Sequence, residues 1–185
     1  MTTQQHTELE SLILKTLRDV PDFPKPGIIF KDIAPVLSNS QVFQSVIDGL
    51  IDIIKPYGVT CIAGIEARGF LFGAPIAYSM GLPFVPVRKP GKLPWKTKSK
   101  SYTLEYGEAT IEIHEDAFEA IEGEKKVALI DDLLATGGTT KAACELIESV
   151  GGKVAVAAFV VELGFLPGRN ILKPHTEVKS LSIVN

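Results

Sequence analysis

Little in this chain points to sulfur, membrane or nucleic-acid chemistry. Its 185 residues hold only two cysteines, Cys61 and Cys144, in apolar context, and neither has a metal-ligand partner at close spacing. Cys61 reads as a buried strand residue and Cys144 as a helix residue. Neither a disulfide nor a thiol nucleophile is the expectation. No apolar run reaches ~18 residues, so no membrane span is expected. The polar start of the chain lacks the apolar core of a secretory signal, and a cytoplasmic protein is expected. Lys and Arg number 19 against 22 Asp and Glu, a formal net charge of -3. That balance argues against non-specific nucleic-acid binding. Two nucleotide-binding signatures are also missing. No Gly-Lys-Ser or Gly-Lys-Thr closes a P-loop, and the G-x-G-x-x-G spacing of dinucleotide folds is absent.

What is present is a core and one unusual turn. Apolar residues make up 45% of the chain. A single domain of this size buries about 70% of the surface its unfolded form exposes. The stretch Val127 to Thr140 reads VALIDDLLATGGTT. Val127 to Ile130 has strand length. Asp131 and Asp132 sit where that strand would leave its sheet. Ala135, Thr136, Gly137, Gly138, Thr139 and Thr140 form a turn that can present several backbone N–H groups. A helix starting near Thr139 adds its free N–H groups and its dipole, which suits a phosphate. The two aspartates repel a phosphate but suit sugar hydroxyls, or a divalent cation held with them. Phosphate, ribose and magnesium are implied together. The plainer alternative is an ordinary strand–loop–helix junction.

Around that stretch the chain alternates helices and strands. Thr7 to Arg18 is the first expected helix, with Thr7 and Glu10 as its capping box. The proline-rich DFPKPG (Asp22 to Gly27) ends it and leads into Ile28, Ile29 and Phe30, either a strap across the core or a pocket wall. Helices are expected at Ser40–Ile54, Phe70–Met80, Glu115–Ile121 and Thr139–Val150. Strands are expected at Thr60–Ile65, Phe84–Val87, Val127–Ile130, Val154–Val161 and Val178–Val184. Four of these runs are apolar on both faces, which argues an α/β fold with a mainly parallel central sheet covered on both sides. The basic stretch Arg88 to Lys100 reads as a mobile lid that attracts phosphates. It holds Trp95 and leads into a hairpin of Tyr102–Tyr106 and Ala109–Ile113. Residues 1–34 form a small N-terminal hood, and 35–185 the core, with lid and hairpin at 88–113.

VALIDDLLATGGTT resembles the phosphoribosyl-pyrophosphate-binding motif of the type I phosphoribosyltransferases. FPKPGIIFKDI (Phe23 to Ile33), GIEARGFLFG (Gly64 to Gly73), RKPGKLPW (Arg88 to Trp95), SYTLEYG (Ser101 to Gly107) and the stretch ELGFLPGR (Glu162 to Arg169) resemble the branch of that family that uses adenine. The likeness implies transfer of phosphoribose to adenine, with AMP and pyrophosphate as products, magnesium as cofactor, and a homodimer. It implies that Asp131 and Asp132 hold the ribose hydroxyls and that Ala135 to Thr140 cradle the 5-phosphate. It makes Glu66, Ala67 and Arg68 the pyrophosphate loop, which in this family often holds a strained or cis peptide. Arg88, Lys89 and Lys92 would meet the pyrophosphate, some of them from a partner subunit. Ile29, Phe30, Lys31 and Leu163 would line the adenine pocket, with Phe30 stacked on the base. Glu105 would be the acid/base, and Arg68, Asp131 and Asp132 would share the catalytic work. Magnesium would be held mainly through substrate and water, near Asp131 and Asp132. Two positions depart from the pattern: Lys31 stands where arginine is common and loses its planar fork, and Glu66 stands where aspartate is common.

Rival readings are a transferase for another nucleobase and a regulator that senses phosphoribosyl pyrophosphate. No separate nucleic-acid-binding element favours the second.

Overall fold

The computed structural model describes residues 1–104 and 107–185. In chain order, α1 (Thr3–Thr16) leads into a hairpin of β1 (Arg18–Pro21) and β2 (Ile29–Asp32). Then come α2 (Ala34–Ser38), α3 (Ser40–Ile54), β3 (Cys61–Ile65), α4 (Arg68–Met80) and β4 (Phe84–Val87). A second hairpin, β5 (Thr97–Leu104) and β6 (Gly107–His114), precedes β7 (Lys126–Leu134). The chain closes with α5 (Gly138–Ser149), β8 (Lys153–Leu163), α6 (Gly168–Leu172) and β9 (Glu177–Val184).

Five strands form one parallel sheet in the order β4-β3-β7-β8-β9. Side chains alternate between its faces, and both faces are covered. Ile62, Ala128, Ile130 and Val156 pack with Ile13 of α1, Leu50 of α3 and Phe72 of α4. Cys61, Ala63, Leu129 and Phe159 pack with Ile147 of α5, Ile113 of β6 and Phe118. Each such large apolar side chain contributes roughly 1.5–3 kcal/mol relative to exposure. Both cysteines are buried and unpaired, as expected, and burial pushes each thiol up to about 12. Among the described residues no helix is long and apolar enough to cross a membrane.

The element boundaries follow from local hydrogen bonding. Helix α3 has the expected bounds because the Asn39 side chain accepts from the N–H groups of Gln41 and Val42. Helix α1 starts four residues earlier than expected. Thr2 and Gln5 form the capping box, while the Thr7 hydroxyl donates to the Thr3 carbonyl inside the helix. The proline-rich stretch is no strap. It is the loop of the β1–β2 hairpin, with Phe23–Pro24 cis and the Asp22 carboxylate accepting from the Gly27 N–H at 2.7 Å. Residues 115–121 form successive turns rather than a helix, with Phe118 buried as their anchor.

Two further boundaries matter for the site. Strand β7 runs on to Leu134, because its ladder with β8 continues through Asp131, Leu133 and Leu134. The acid pair therefore lies within the strand. Strand β5 already begins at Thr97, so Lys98 and Lys100 belong to the hairpin and not to a lid. Lys98 Nζ donates to the Ser149 carbonyl at 2.7 Å, and Lys100 Nζ lies 2.7 Å from Glu145, both on α5.

Candidate active site

The sheet changes direction once. From β3 the chain goes to β4 on one side, then crosses to β7 on the other. A ligand crevice opens at such a switch point, beyond the C-terminal ends of the diverging strands. Here those ends carry Glu66, Ala67 and Arg68 after β3, and Asp131 and Asp132 on β7.

The first turn of α4 is pressed against β7. A Cβ at Gly69 would lie 2.5 Å from the Ile130 carbonyl and 3.2 Å from Asp131 Oδ1, so the approach requires glycine. That contact delivers Arg68 to the acid pair, with Nε 2.8 Å from Asp132 Oδ2. The charges meet, but the N–H is misaligned, and the buried Oδ2 has no hydrogen-bond partner among the described residues. The Asp132 N–H donates to Asp131 Oδ1 at 2.9 Å. Surrounding protein, and then the charge of Asp132, push the Asp131 carboxyl well above the usual carboxylate range.

Arg68 also reaches the N-terminal hood. Its guanidinium lies 5.5 Å from the centroid of the Phe30 ring, and Phe23 meets that ring edge-on at 5.2 Å. Strand alternation puts Phe30 and Asp32 on one face of the hairpin. The Ala34 N–H, then Arg18, hold the Asp32 carboxyl below its usual range, and Arg68 adds to this. Ile29 and Lys31 stand on the other face. Ile29 is 59% exposed, and Lys31 Nζ pairs with Asp19 at 2.6 Å. Phe30 thus joins Arg68 and the acid pair, while the side chains of Ile29 and Lys31 do not. Leu163 ends β8 on the same edge of the sheet. With Glu162 it belongs to the strand, not to the following loop.

The Glu66–Ala67 peptide is cis. Glu66 accepts from Arg88 at Nε (3.1 Å) and Nη2 (3.2 Å), and from the Lys89 N–H at 3.0 Å. The Arg88 bonds first of all hold the Glu66 carboxyl below its usual range. Arg88 Nη1 donates to the Lys92 carbonyl at 2.9 Å. Arg88 is therefore turned inward to brace its own loop, leaving Lys89 and Lys92 exposed.

The glycine-rich turn exposes backbone N–H groups at the start of α5, as its composition suggests. Gly137, with φ +82°, is the N-cap of α5, and no side chain caps that helix. The N–H groups of Gly138, Thr139 and Thr140 precede the first helical bond, from Lys141 N–H to the Gly137 carbonyl. The hairpin passes over this end of α5: a Cβ at Gly138 would lie 3.6 Å from the Thr103 carbonyl. Glu105 lies outside the described residues.

Sequence reasoning missed what stands behind the turn. Gly168, at the start of α6, packs against Ala135 and Gly137. Glu162 is a buried carboxylate held by Arg169. The one available signal was an acidic residue ending an otherwise apolar run.

A parallel doubly wound sheet that presents an uncapped helix start beside two carboxylates is of the class that takes phosphorylated sugar ligands. Residues 35–182 match the family described as phosphoribosyl transferase domain. An adenine phosphoribosyltransferase of Desulfitobacterium hafniense (strain Y51) is 51% identical over 167 residues, which cover 90% of this chain and 94% of that protein. The crystal structure of adenine phosphoribosyltransferase from Thermoanaerobacter pseudethanolicus matches with a TM-score of 0.88 at 48% identity, covering 94% of this chain and 99% of that one. The Saccharomyces cerevisiae enzyme, complexed with an imino-altritol bisphosphate and adenine, matches with a TM-score of 0.86 at 37% identity, covering 95% and 99%. The chain belongs to the adenine phosphoribosyltransferases.

Proposed function

We propose that this chain transfers phosphoribose from phosphoribosyl pyrophosphate to adenine, giving AMP and pyrophosphate. One observation carries the reading: Arg68 ties the Phe30 ring to the acid pair on β7, whose strand runs into the uncapped start of α5. An aromatic platform, a hydroxyl-binding pair and a phosphate turn then follow one another along a single ligand.

In this reading Ala135 to Thr140 hold the 5-phosphate by backbone N–H groups, and Asp131 and Asp132 accept from the ribose hydroxyls. Phe30 stacks on the base. Ile29 and Lys31 face it through their backbones, and Leu163 closes the far side. Arg68, with the Glu66–Ala67 loop, meets the pyrophosphate. The C1–O bond to pyrophosphate breaks, positive charge spreads over the ribose, and the adenine nitrogen forms the new bond at C1. Glu105 accepts the proton the base loses. Positive groups placed at the departing oxygens lower the barrier.

Magnesium is the cofactor in this reading. No cluster of three or more protein ligands occurs among the described residues. The Asp131–Asp132 pair, whose Asp132 Oδ2 faces Arg68 without a hydrogen bond, fits an ion that takes one or two carboxylates and completes its shell with substrate oxygens and water. Bound there, it would neutralise charge on the pyrophosphate.

The reading extends to a homodimer in the cytoplasm. Helix α4 exposes Tyr78 (90%) and Leu71 (46%) seven residues apart, an apolar stripe that a second copy would cover. In this reading the exposed Lys89 and Lys92 meet the pyrophosphate with Arg68.

The test is product formation from phosphoribosyl pyrophosphate with adenine, hypoxanthine, guanine, xanthine and orotate in parallel, with and without a chelator. AMP from adenine alone, lost on chelation, is expected. Turnover of another base would overturn the pocket. Tight binding of phosphoribosyl pyrophosphate with no turnover of any base would favour a sensor.

A further inference from the structure

Behind the phosphate turn, on the side away from the crevice, sits a charged cluster that the reaction does not use. Glu162, next to last in β8, is 5% exposed. It is paired in register with Leu134, the last residue of β7 before the turn. Arg169, the second residue of α6, grips it with both arms of its fork: Nε donates to Oε1 at 2.8 Å and Nη2 donates to Oε2. The remaining valences are filled. Arg169 Nη1 donates to the Val178 carbonyl at 2.9 Å, and Nη2 lies 3.2 Å from Ser180 Oγ. The Ser180 hydroxyl donates in turn to Glu162 Oε2. Burial works against the Glu162 charge, but the bonds from Arg169 and Ser180 outweigh it and hold the carboxyl below its usual range.

Only the carboxylate of this pair is buried, the Arg169 side chain being 43% exposed, and desolvation of that carboxylate offsets part of the attraction. What the pair supplies is direction. A bidentate guanidinium–carboxylate contact fixes both distance and angle. The residue whose position it fixes is Gly168, immediately before Arg169. A Cβ at Gly168 would collide with the Ala135 carbonyl and lie 2.9 Å from Leu134 Cδ1. A Cβ at Gly137 would lie 2.9 Å from the Gly168 carbonyl and 3.1 Å from its Cα. Gly168 is thus wedged between the two arms of the turn, touching Ala135 on one side and Gly137 on the other. The start of α6 is a backstop, and Arg169 bolts it to β8 and β9.

We propose that Glu162 and Arg169 are positioning residues for the phosphate turn: through Gly168 they hold residues 135–138 in the shape that binds a 5-phosphate. The proposal rests on the phosphate reading given above. It assigns the pair no contact with substrate and no part in base selection. Its signature is selectivity: loosening the bolt weakens every ligand that carries the 5-phosphate far more than it weakens adenine.

The test compares the wild type with Arg169→Lys, which keeps the charge and loses the fork, and with Gly168→Ala, which pushes on the turn directly. Binding of ribose 5-phosphate and of adenine is measured by calorimetry, beside melting temperature and the KM values of both substrates. A misplaced binding group commonly costs one to two orders of magnitude, so ribose 5-phosphate affinity and the KM for phosphoribosyl pyrophosphate should worsen by roughly tenfold or more in either variant. Adenine affinity should fall far less, because Leu163, the pocket residue beside Glu162, is held by its own ladder pairing with Val184. Equal losses for both ligands, or no loss for either in a folded Arg169→Lys protein, would overturn the positioning role. The functional reading fails separately. If the wild type binds ribose 5-phosphate but makes no AMP, the activity is wrong while the variants still decide the bolt. If the wild type binds neither ribose 5-phosphate nor phosphoribosyl pyrophosphate, both ideas fall. Should Gly168→Ala not fold, Arg169→Lys decides alone.

Discussion

Arg68 reaches Asp132 across the switch point, with Nε 2.8 Å from Oδ2, without giving that buried oxygen a hydrogen bond. The pair balances charge but does not close the site. Arg68→Met should therefore lower kcat/KM by roughly 10²–10³, the usual cost of removing one electrostatic stabiliser. Steady-state kinetics with both substrates checks this. Near-normal rates would remove Arg68 from the chemistry.

Asp131 is held in a place that disfavours its charge. Its folded pKa is raised, so the stability it lends is present at low pH and is lost as pH rises through that value. Above its unfolded pKa the group therefore costs the free protein stability. Asp131→Asn should raise Tm by roughly 2–4 °C, corresponding to about 1 kcal/mol in a chain this long. The same change should abolish most turnover. Calorimetric melting, paired with the AMP assay, reads both effects.

The contact of Gly69 with β7 leaves no room for a methyl group, whereas the nearest neighbour of a Cβ at Gly138 would be 3.6 Å away. Gly69→Ala should destabilise by about 1–3 kcal/mol through overpacking. Gly138→Ala, in the first turn of α5, should leave Tm within about 2 °C and act only on phosphate affinity. Similar melting shifts in the two variants would contradict the packing described.

Acid should unfold the protein through a few carboxylates. Glu66, Glu145 and Glu162 are all held below their unfolded value of 4.5. The stability they provide is complete above that pH and is lost as pH falls through their folded values. Tm should fall steeply below about pH 5, after any rise that protonation of Asp131 brings at higher pH. Glu162→Gln should flatten the acid limb, and an unchanged limb would mean that other groups govern it.

Glu105→Ala should reduce kcat by roughly 10²–10⁴, the range for a lost general acid–base group. The KM for adenine should change little. A rise in that KM with kcat intact would make Glu105 a base-binding residue instead.

The sheet was legible because its strands are apolar on both faces, and α3 because Ser40 to Ile54 keeps an unbroken helical pattern up to Pro56. The turn at residues 135–140 was legible as a strand-to-helix junction because its glycine pair follows an apolar run and precedes an amphipathic one. The misreadings share one cause. Asp131, Asp132, Glu162 and Leu163 look like loop residues, yet all lie in strands, because the ladders of β7 with β8 and of β8 with β9 run on past the apolar residues. Glu162 is tolerated inside only because Arg169 folds back from α6, a partner set by tertiary structure. Lys31 is directed by Asp19 on the opposite strand of its hairpin, and Lys98 and Lys100 by α5. In each case charge alone could not say which way the side chain would turn.

The two thiols have a practical consequence. Cys61 is walled into the middle of the sheet and Cys144 lies beneath it, each with a pKa of about 12. At neutral pH almost no thiolate forms, and alkylating reagents find nothing to attack. A cysteine introduced at an exposed position such as Trp95 would then be the single reactive handle on the native protein. A dye or spin label placed there would report on the basic loop alone, with no need to remove the natural cysteines first.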